Sequence, residues 1–392
     1  MHDVVILAGA RTPIGAFGGA LSSFSAPQLG AKAITEALQR AGVSPDEVDE
    51  TIMGCVLTGG LGQAPARQAA KLAGIPNRVP ALTVNKVCGS AMKAVTLAAQ
   101  SVKLGESTVV VAGGMESMSN APYLLDKART GYRLGNGTLI DSMIHDGLWD
   151  PYNNCHMGNC GDATARDLEF SRELLDAFSA ESYRRALAAQ IAGRLAEEIV
   201  HVEVPQRKGP SLVIAQDEEP EKGDIDKLPS LRPAFAKEGV TTAGNASSLD
   251  DGAAALIVTS MEEAERRGVR PLGRLVGSIT HAQDPEWFTT APAYAVQRLL
   301  AKHQLTVEDI DLFEVNEAFA VVAMAVMKLA GIPHEKLNVN GGAVALGHPI
   351  GMTGARLILT ALLELRRRGG RYAVATPCIG GGEAMAVLLE AI

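Results

Sequence analysis

The hexapeptide Lys71-Leu72-Ala73-Gly74-Ile75-Pro76 recurs unchanged as Lys328-Leu329-Ala330-Gly331-Ile332-Pro333. Its surroundings repeat in kind. Ser44-Pro45-Asp46-Glu47-Val48-Asp49 lies ahead of the first copy and Thr306-Val307-Glu308-Asp309-Ile310-Asp311 ahead of the second. Both read as helix N-caps that follow an earlier helix. Beyond the copies come Val84-Asn85 and Val339-Asn340, then Val87-Cys88-Gly89-Ser90 and Gly347-His348-Pro349. Each half continues with a helical pattern and an apolar strand, at 108–112 and 372–376. Self-similarity of this kind predicts two copies of one α/β unit of alternating strands and helices. Cys88 and His348 then occupy equivalent turns, facing one another across a pseudo-two-fold axis.

At 392 residues the chain exceeds one compact core, so two or three domains are expected. The first strand is expected from Val4. The alternation of the halves is lost from about Asn120 to Ser247, where Gly135-Asn136-Gly137 and several acidic clusters occur. One helix is clear there, from Ser171 to Ala192, with Leu174, Leu175, Phe178 and Tyr183 on one side. This reads as an inserted substrate-binding region. The first half resumes at Asp251-Gly252-Ala253-Ala254-Ala255-Leu256-Ile257-Val258. The expected units are 1–118 with 249–270, an insertion at 119–248, and 271–392.

Net charge is −8 and no Lys/Arg block stands out, which argues against a nucleic-acid partner. Neither a signal peptide nor an apolar run of about 18 residues is read, so a cytoplasmic protein without a membrane span is expected. Five widely spaced cysteines do not form a disulfide framework and suit a reducing compartment. Cys155 and Cys160 lack a second ligand pair for zinc, so structural or pocket-lining roles are expected and no metal site is predicted.

The chemistry concentrates at three glycine-bearing segments. Cys88 follows the apolar run 79–84 and precedes an Ala-rich helical pattern at 91–102. A thiol where a strand meets a helix N-terminus is favoured as thiolate by the helix dipole, and free N–H groups are at hand for an oxyanion. A free cysteine is most often a small buried hydrophobe, but this context points to a nucleophile. His348, on a turn shaped by Gly347 and Pro349, suits activation of Cys88. Cys378, before Ile379-Gly380-Gly381-Gly382, suits an acid/base, since the glycines let backbone approach a ligand closely. Asn316 lies at the apparent end of a strand, where it either positions a water or caps a helix; its neighbour Glu317 is an alternative orienting group. No Gly-x-Gly-x-x-Gly follows a strand, which disfavours a nicotinamide oxidoreductase, and no Walker-type or His-Glu-x-x-His motif occurs.

In order along the chain, these residues resemble the thiolase family. The matching segments are Ala10-Arg11-Thr12-Pro13, Val84-Asn85 with Cys88-Gly89-Ser90, Gly113 to Met118, His156-Met157-Gly158, Thr242 to Ser247, Asn316 to Ala320, Asn340-Gly341-Gly342-Ala343 to Pro349, and the Cys378 loop. The resemblance spans almost the whole chain. It implies an α/β fold with a duplicated α-β-α-β-α five-layered core, an inserted α/β loop domain and a homotetramer of tight dimers. Length and His156-Met157-Gly158 look most like the biosynthetic branch, which condenses two acetyl-CoA molecules to acetoacetyl-CoA and free CoA.

By the same resemblance Cys88 carries the acetyl group, His348 activates it, and Cys378 is the acid/base. Asn316 holds a water that binds the thioester oxygen with His348, and the N–H groups of Cys88 and Gly380 form a second oxyanion hole. His156, Met157 and Ser247, with Leu148 and Phe235, are expected to hold coenzyme A, which is a substrate rather than a resident cofactor. Read without the family, Met157 is ordinary core and residues 244–247 an ordinary turn. Four positions depart from the pattern. Glu221 stands where many relatives have an arginine near the adenine, with Lys222 beside it as a compensating charge. Phe288 replaces a frequent methionine and bears on acyl-chain length, and Pro377 and Glu383 flank the Cys378 loop. The rival readings are a degradative 3-ketoacyl-CoA thiolase, a ketosynthase, and a non-catalytic acyl-CoA- or lipid-binding relative. A ketosynthase would pair its cysteine with two histidines, and a non-catalytic relative would lose a nucleophile or base that this chain keeps.

Overall fold

A computed structural model describes residues 2–392. Nine strands carry the core: β1 (Val4–Arg11), β2 (Glu50–Gly54), β3 (Ala81–Val84), β4 (Val109–Ser117), β5 (Asp250–Ser260), β6 (Gly273–Ala282), β7 (Leu312–Val315), β8 (Tyr372–Thr376) and β9 (Glu383–Ala391). The principal helices are α1 (Ala26–Ala41), α2 (Pro65–Leu72), α3 (Ser90–Leu104), α4 (Met157–Asp167), α5 (Arg172–Ile191), α6 (Ala291–His303), α7 (Ala320–Ala330) and α8 (Thr353–Arg368).

The strands form one sheet in the order β7-β8-β9-β6-β1-β5-β4-β2-β3. The duplication is visible in the pairing. In the first half β1 and β5 are antiparallel, β5 and β4 antiparallel, and β4 and β2 parallel. In the second half β6 and β9, β9 and β8, and β8 and β7 repeat that sequence of directions. The halves join where β1 pairs antiparallel with β6, Val5 opposite Arg274 and Ile6 opposite Gly273.

Five layers follow from the packing. Helices α1 and α2 cover the outer face of the first half-sheet, and α6 covers that of the second. Helices α3 and α8 pack on one another between the half-sheets. Every residue of α8 from Thr353 to Leu365 is buried, as a helix enclosed on all sides requires. The approach is close: a Cβ on Gly354 would lie 2.5 Å from the Met92 backbone nitrogen.

The repeated hexapeptide is a helix stop. Gly74 and Gly331 adopt φ of +83° and +70°, after the ends of α2 and α7. The N–H groups of Ile75 and Ile332 then reach back to the carbonyls of Ala70 and Met327, at 3.0 and 3.1 Å. This is the Schellman closure, favoured by glycine at the left-handed position and by a proline just beyond. Both isoleucines are buried, which anchors each helix end to its layer.

Some local expectations need correction. Ser44 opens only a single 3₁₀ turn, Pro45–Glu47, and Thr306 only a turn closed by Asp309. Both satisfy their own N–H groups locally, and neither segment carries enough apolar spacing to extend. The helix at Ser171 forms with Ser171 as its N-cap, but Leu174 is half exposed while Leu175, Phe178 and Tyr183 are buried. Leu174 and Leu175 lie about 100° apart around the helix, so one face cannot hold both deeply. Residues between β4 and β5 form α4, α5 and three two-stranded hairpins beside the main sheet. Among the described residues, no helix is long and apolar enough to cross a membrane.

Candidate active site

The Cys88 turn is not the immediate strand–thiol junction expected from sequence. β3 ends at Val84, and residues 85–89 form a wound turn before α3. Val87 sits at φ +46°, a costly conformation for a β-branched residue, of order 1–3 kcal/mol. The turn is held by Asn85, whose side-chain Oδ1 accepts from Val87 N–H at 3.1 Å, and by Ser90. The Ser90 hydroxyl accepts from Lys86 N–H at 2.8 Å and donates to the Val87 carbonyl at 2.6 Å. Lys86 also forms an ion pair with Glu383, tying the turn to the start of β9 beyond the Cys378 loop.

A cavity of about 430 Å³ opens at this turn. Of the residues singled out from sequence, Cys88, His348, Gly380, His156, Met157, Ser247, Leu148, Phe235 and Phe288 all line it. Cys378 and Asn316 do not; they are buried directly behind it, 1 % and 0 % exposed. Glu221 lies elsewhere, in a separate 520 Å³ cavity, where Gln190 donates to its carboxylate at 3.2 Å. Lys222 pairs with Glu218 rather than with Glu221, so it offers no compensation there.

Burial pushes the Cys88 thiol up to about 11, while the N–H groups of Gly380 and of Cys88 itself favour the thiolate. Burial and the neighbouring Cys88 raise Cys378 well above the ordinary thiol range, and its own N–H opposes this. His348 is pushed down to about 3 by burial, with Arg356 adding to the shift, so its imidazole is neutral at physiological pH. Its tautomer follows from its partners. The Thr353 hydroxyl donates to the Pro349 carbonyl at 3.0 Å and lies 2.6 Å from His348 Nδ1. We assign the Thr353 proton to Pro349, so that Thr353 accepts from Nδ1–H and Nε2 is the basic nitrogen, an assignment that also lets the Asn316 amide N–H donate to Nε2. Nε2 lies 3.3 Å from Asn316 Nδ2. The backbone N–H of His348 is held at 2.7 Å by Asp250, itself fully buried with a carboxyl raised well above its usual range by burial.

These contacts remove one of the readings of Asn316, that of a helix cap. Asn316 caps no helix; α7 begins after Phe319, and the amide faces His348. Its Oδ1 is buried without a hydrogen-bond partner. Glu317 turns away and accepts from Ser182, Asn338 and the Val344 N–H, fixing the loop that leads to His348.

The opposite wall is aromatic. His156 is the N-cap of α4, accepting from Gly158 N–H at 3.2 Å through Nδ1, and its ring stacks on Phe235 at 4.5 Å. Burial lowers its pKa, so this ring too is neutral. Phe319 meets both Phe235 and Phe288 edge-on. Phe288 is 2 % exposed and sits in the cavity wall. The turn lies at 242–245 rather than at 244–247, because Thr242 N–H donates to Asn245 and Asn245 to Asp176, while Ala246 bridges to Phe319. That turn delivers Ser247 to the cavity.

Sequence reasoning missed Thr353 and Asp250, which hold His348, and Glu116, a fully buried carboxyl beside Cys55. Burial raises Glu116 to about 7, against donation from Val56 and Leu57 N–H. The Thr353 signal was its position five residues after His348 at a helix start. Arg11, read as part of a motif, is instead a buried anchor that binds Glu198 and, in bidentate fashion, Asp217.

Comparison with known proteins agrees with this architecture. Residues 4–262 match the family profile described as the thiolase N-terminal domain, and residues 269–391 that of the thiolase C-terminal domain. Acetyl-CoA acetyltransferase 2 of Arabidopsis thaliana is 53% identical over 391 residues, covering 99% of this chain and 97% of its own. Acetyl-CoA acetyltransferase of Cupriavidus necator is 48% identical over the full length of both chains. That of Pseudomonas aeruginosa is 48% identical over 99% of each. With profiles covering both halves and relatives matched end to end, the chain belongs to the thiolase family.

Proposed function

We propose that this chain is an acetyl-CoA C-acetyltransferase that condenses two acetyl-CoA molecules reversibly through an acetyl-Cys88 intermediate. The observation that carries the reading is one cavity onto which Cys88, a neutral His348 with a basic Nε2, and the Gly380 N–H all open, with Cys378 directly behind Cys88. The curated relatives of matching length bear the same activity in their names.

His348 Nε2 takes the Cys88 proton as the thiolate attacks the acetyl carbonyl, which overcomes a thiol pKa that burial has raised. The resulting imidazolium then donates through Nε2–H, and Thr353 continues to accept at Nδ1. Coenzyme A leaves with that proton. In the second half Cys378, acting as the thiolate, takes a methyl proton from a second acetyl-CoA; the carbanion attacks the acetyl-Cys88 carbonyl, and the Cys88 thiolate that leaves takes that proton from Cys378. The Cys88 and Gly380 N–H groups are placed for the oxyanion of the acyl-enzyme stage, because they already favour charge on the Cys88 sulfur. The unpartnered Asn316 Oδ1 suits a water hydrogen, which supports the water-holding role beside His348.

Residues 119–248 act as a loop domain over the site, with His156, Met157, Leu148, Phe235 and Ser247 against the pantetheine arm. Phe288 limits the acyl channel to short chains. Assembly into a homotetramer is supported by the open β3 edge, where Leu82 is exposed, and by exposed Leu125, Leu134 and Leu139 in the insertion.

Brief exposure to labelled acetyl-CoA should leave acetyl on Cys88, with ping-pong kinetics, and Cys88→Ser should remove most activity. Stable label on Cys55, Cys155 or Cys160 would sink the assignment.

A further inference from the structure

Cys155 stands just before His156, the N-cap of α4, and Cys160 is the fourth residue of that helix. Side chains at these two positions meet at a helix entrance, where apolar pairs commonly pack. Here both are free thiols, with sulfur atoms 4.0 Å apart. Neither lines the catalytic cavity, but His156 and Met157 between them do. Asp150 completes a group whose donor atoms lie within 4.8 Å of one another. Its carboxylate is already committed, however. Oδ1 accepts from Tyr152 and Asn153 N–H at 2.8 and 3.3 Å, and Oδ2 from the Asn153 amide at 2.7 Å. Two sulfurs facing one another, without a third uncommitted donor, fit a covalent pair better than a zinc centre, which takes four ligands.

We propose that Cys155 and Cys160 are an oxidation site, a dithiol that closes to a disulfide by exchange with a small-molecule disulfide of the oxidised-glutathione type. Cys155 is the partly exposed member and Cys160 is 2 % exposed, so Cys155 reacts first. Its thiolate attacks one sulfur of oxidised glutathione, forming a mixed disulfide and expelling one glutathione thiolate. The Cys160 thiolate then attacks the Cys155 sulfur and expels the second. Two cysteines are oxidised, one glutathione disulfide is reduced to two thiols, and the two cysteine protons end on those thiols. The sulfurs must approach to about 2.05 Å, a closure by side-chain rotation at the helix entrance. Burial raises both thiols, with the neighbouring Cys155 and then the Asp150 charge adding to the shift of Cys160, which reaches about 12. Closure is therefore slow at neutral pH and accelerates as pH rises. The closed bridge fastens His156 and Met157 between fixed ends.

The test uses the intact enzyme equilibrated at several ratios of reduced to oxidised glutathione, then alkylated and digested with trypsin without reduction. Residues 134–166 form one tryptic peptide that holds Cys155, Cys160 and no other cysteine, so oxidation of Cys88 or Cys378 is read separately. The expected result is loss of both alkylation sites and of two hydrogens from this peptide, reversed by dithiothreitol. In Cys155→Ser, Cys160 should remain alkylatable after denaturation and carry no glutathione. A peptide that keeps both thiols at the most oxidising ratio overturns the proposal. So does a lasting glutathione adduct on Cys155 without closure. Zinc retained through gel filtration by the wild type and lost in Cys160→Ser would replace it with a metal site.

Discussion

Thr353→Val tests the reasoning at the base. Valine keeps the volume of threonine but removes the hydroxyl that accepts from His348 Nδ1–H at 2.6 Å and donates to Pro349 at 3.0 Å. His348 is 5 % exposed, so water does not readily replace the lost partner. A buried donor left unsatisfied costs about 1–3 kcal/mol. That cost falls on the tautomer that keeps Nε2 basic, and it grows when the ring becomes imidazolium. At 1.36 kcal/mol per tenfold change in rate, acetyl transfer should slow about 5- to 150-fold. The assay is exchange of labelled coenzyme A into acetyl-CoA, which needs only the first half-reaction. KM should change little, because Thr353 does not line the cavity. Thr353→Ser restores the hydroxyl and should recover most of the rate, whereas a general loss of packing would not be rescued so selectively. Exchange in Thr353→Val within twofold of wild type, with the fold intact by thermal melting, would refute the assignment of Nδ1–H to Thr353.

Cys378→Ala should still accept acetyl on Cys88 but lose condensation and α-proton exchange into deuterated water, by about 10²–10⁴-fold; near-wild-type condensation would end the acid/base role. Phe288→Ala should raise kcat/KM for six-carbon 3-ketoacyl-CoA relative to acetoacetyl-CoA, since each added methylene in an apolar pocket is worth about 1–3 kcal/mol. An unchanged ratio with good wild-type activity on long chains favours the degradative reading. Glu116 binds its proton more tightly when folded, its pKa raised from 4.5 to about 7, so its contribution to stability is full below pH 4.5 and lost as pH rises through 7. Glu116→Gln should remove about 3 kcal/mol of that pH dependence at 1.36 kcal/mol per unit; equal slopes between pH 4.5 and 7 in urea unfolding of both proteins would count against it.

The duplicated architecture was legible because the repeat falls at a helix stop, where glycine and proline are demanded by backbone geometry rather than by composition. Cys88, His348 and Gly380 were legible for a related reason: glycine beside a reactive residue marks close backbone approach. What sequence did not show was how the reactive groups are held. Thr353 reads as an ordinary helix-start hydroxyl, and Asp250 as the first residue of a buried strand, until the fold brings both to His348. Val87 contradicts its own preference, because the Asn85 and Ser90 bonds outweigh the local cost of a left-handed valine. Glu221 is related to the adenine end by family resemblance alone, and in the fold its partner Gln190 lies on α5 and its side chain lines a cavity separate from that of Cys88.

Cys88 and His348 each precede one of the two middle-layer helices, α3 and α8, which touch at Gly354 and Met92. The turns that carry the proposed nucleophile and base thus both lead into this helix contact. The chain between β4 and β5 supplies wall residues such as Leu148, His156 and Phe235. We read the chain as a reaction core with an exchangeable front panel. Transplanting an insertion from a relative with other acyl preferences should carry substrate choice with it, while the exchange rate of acetyl between coenzyme A and Cys88 stays with the core.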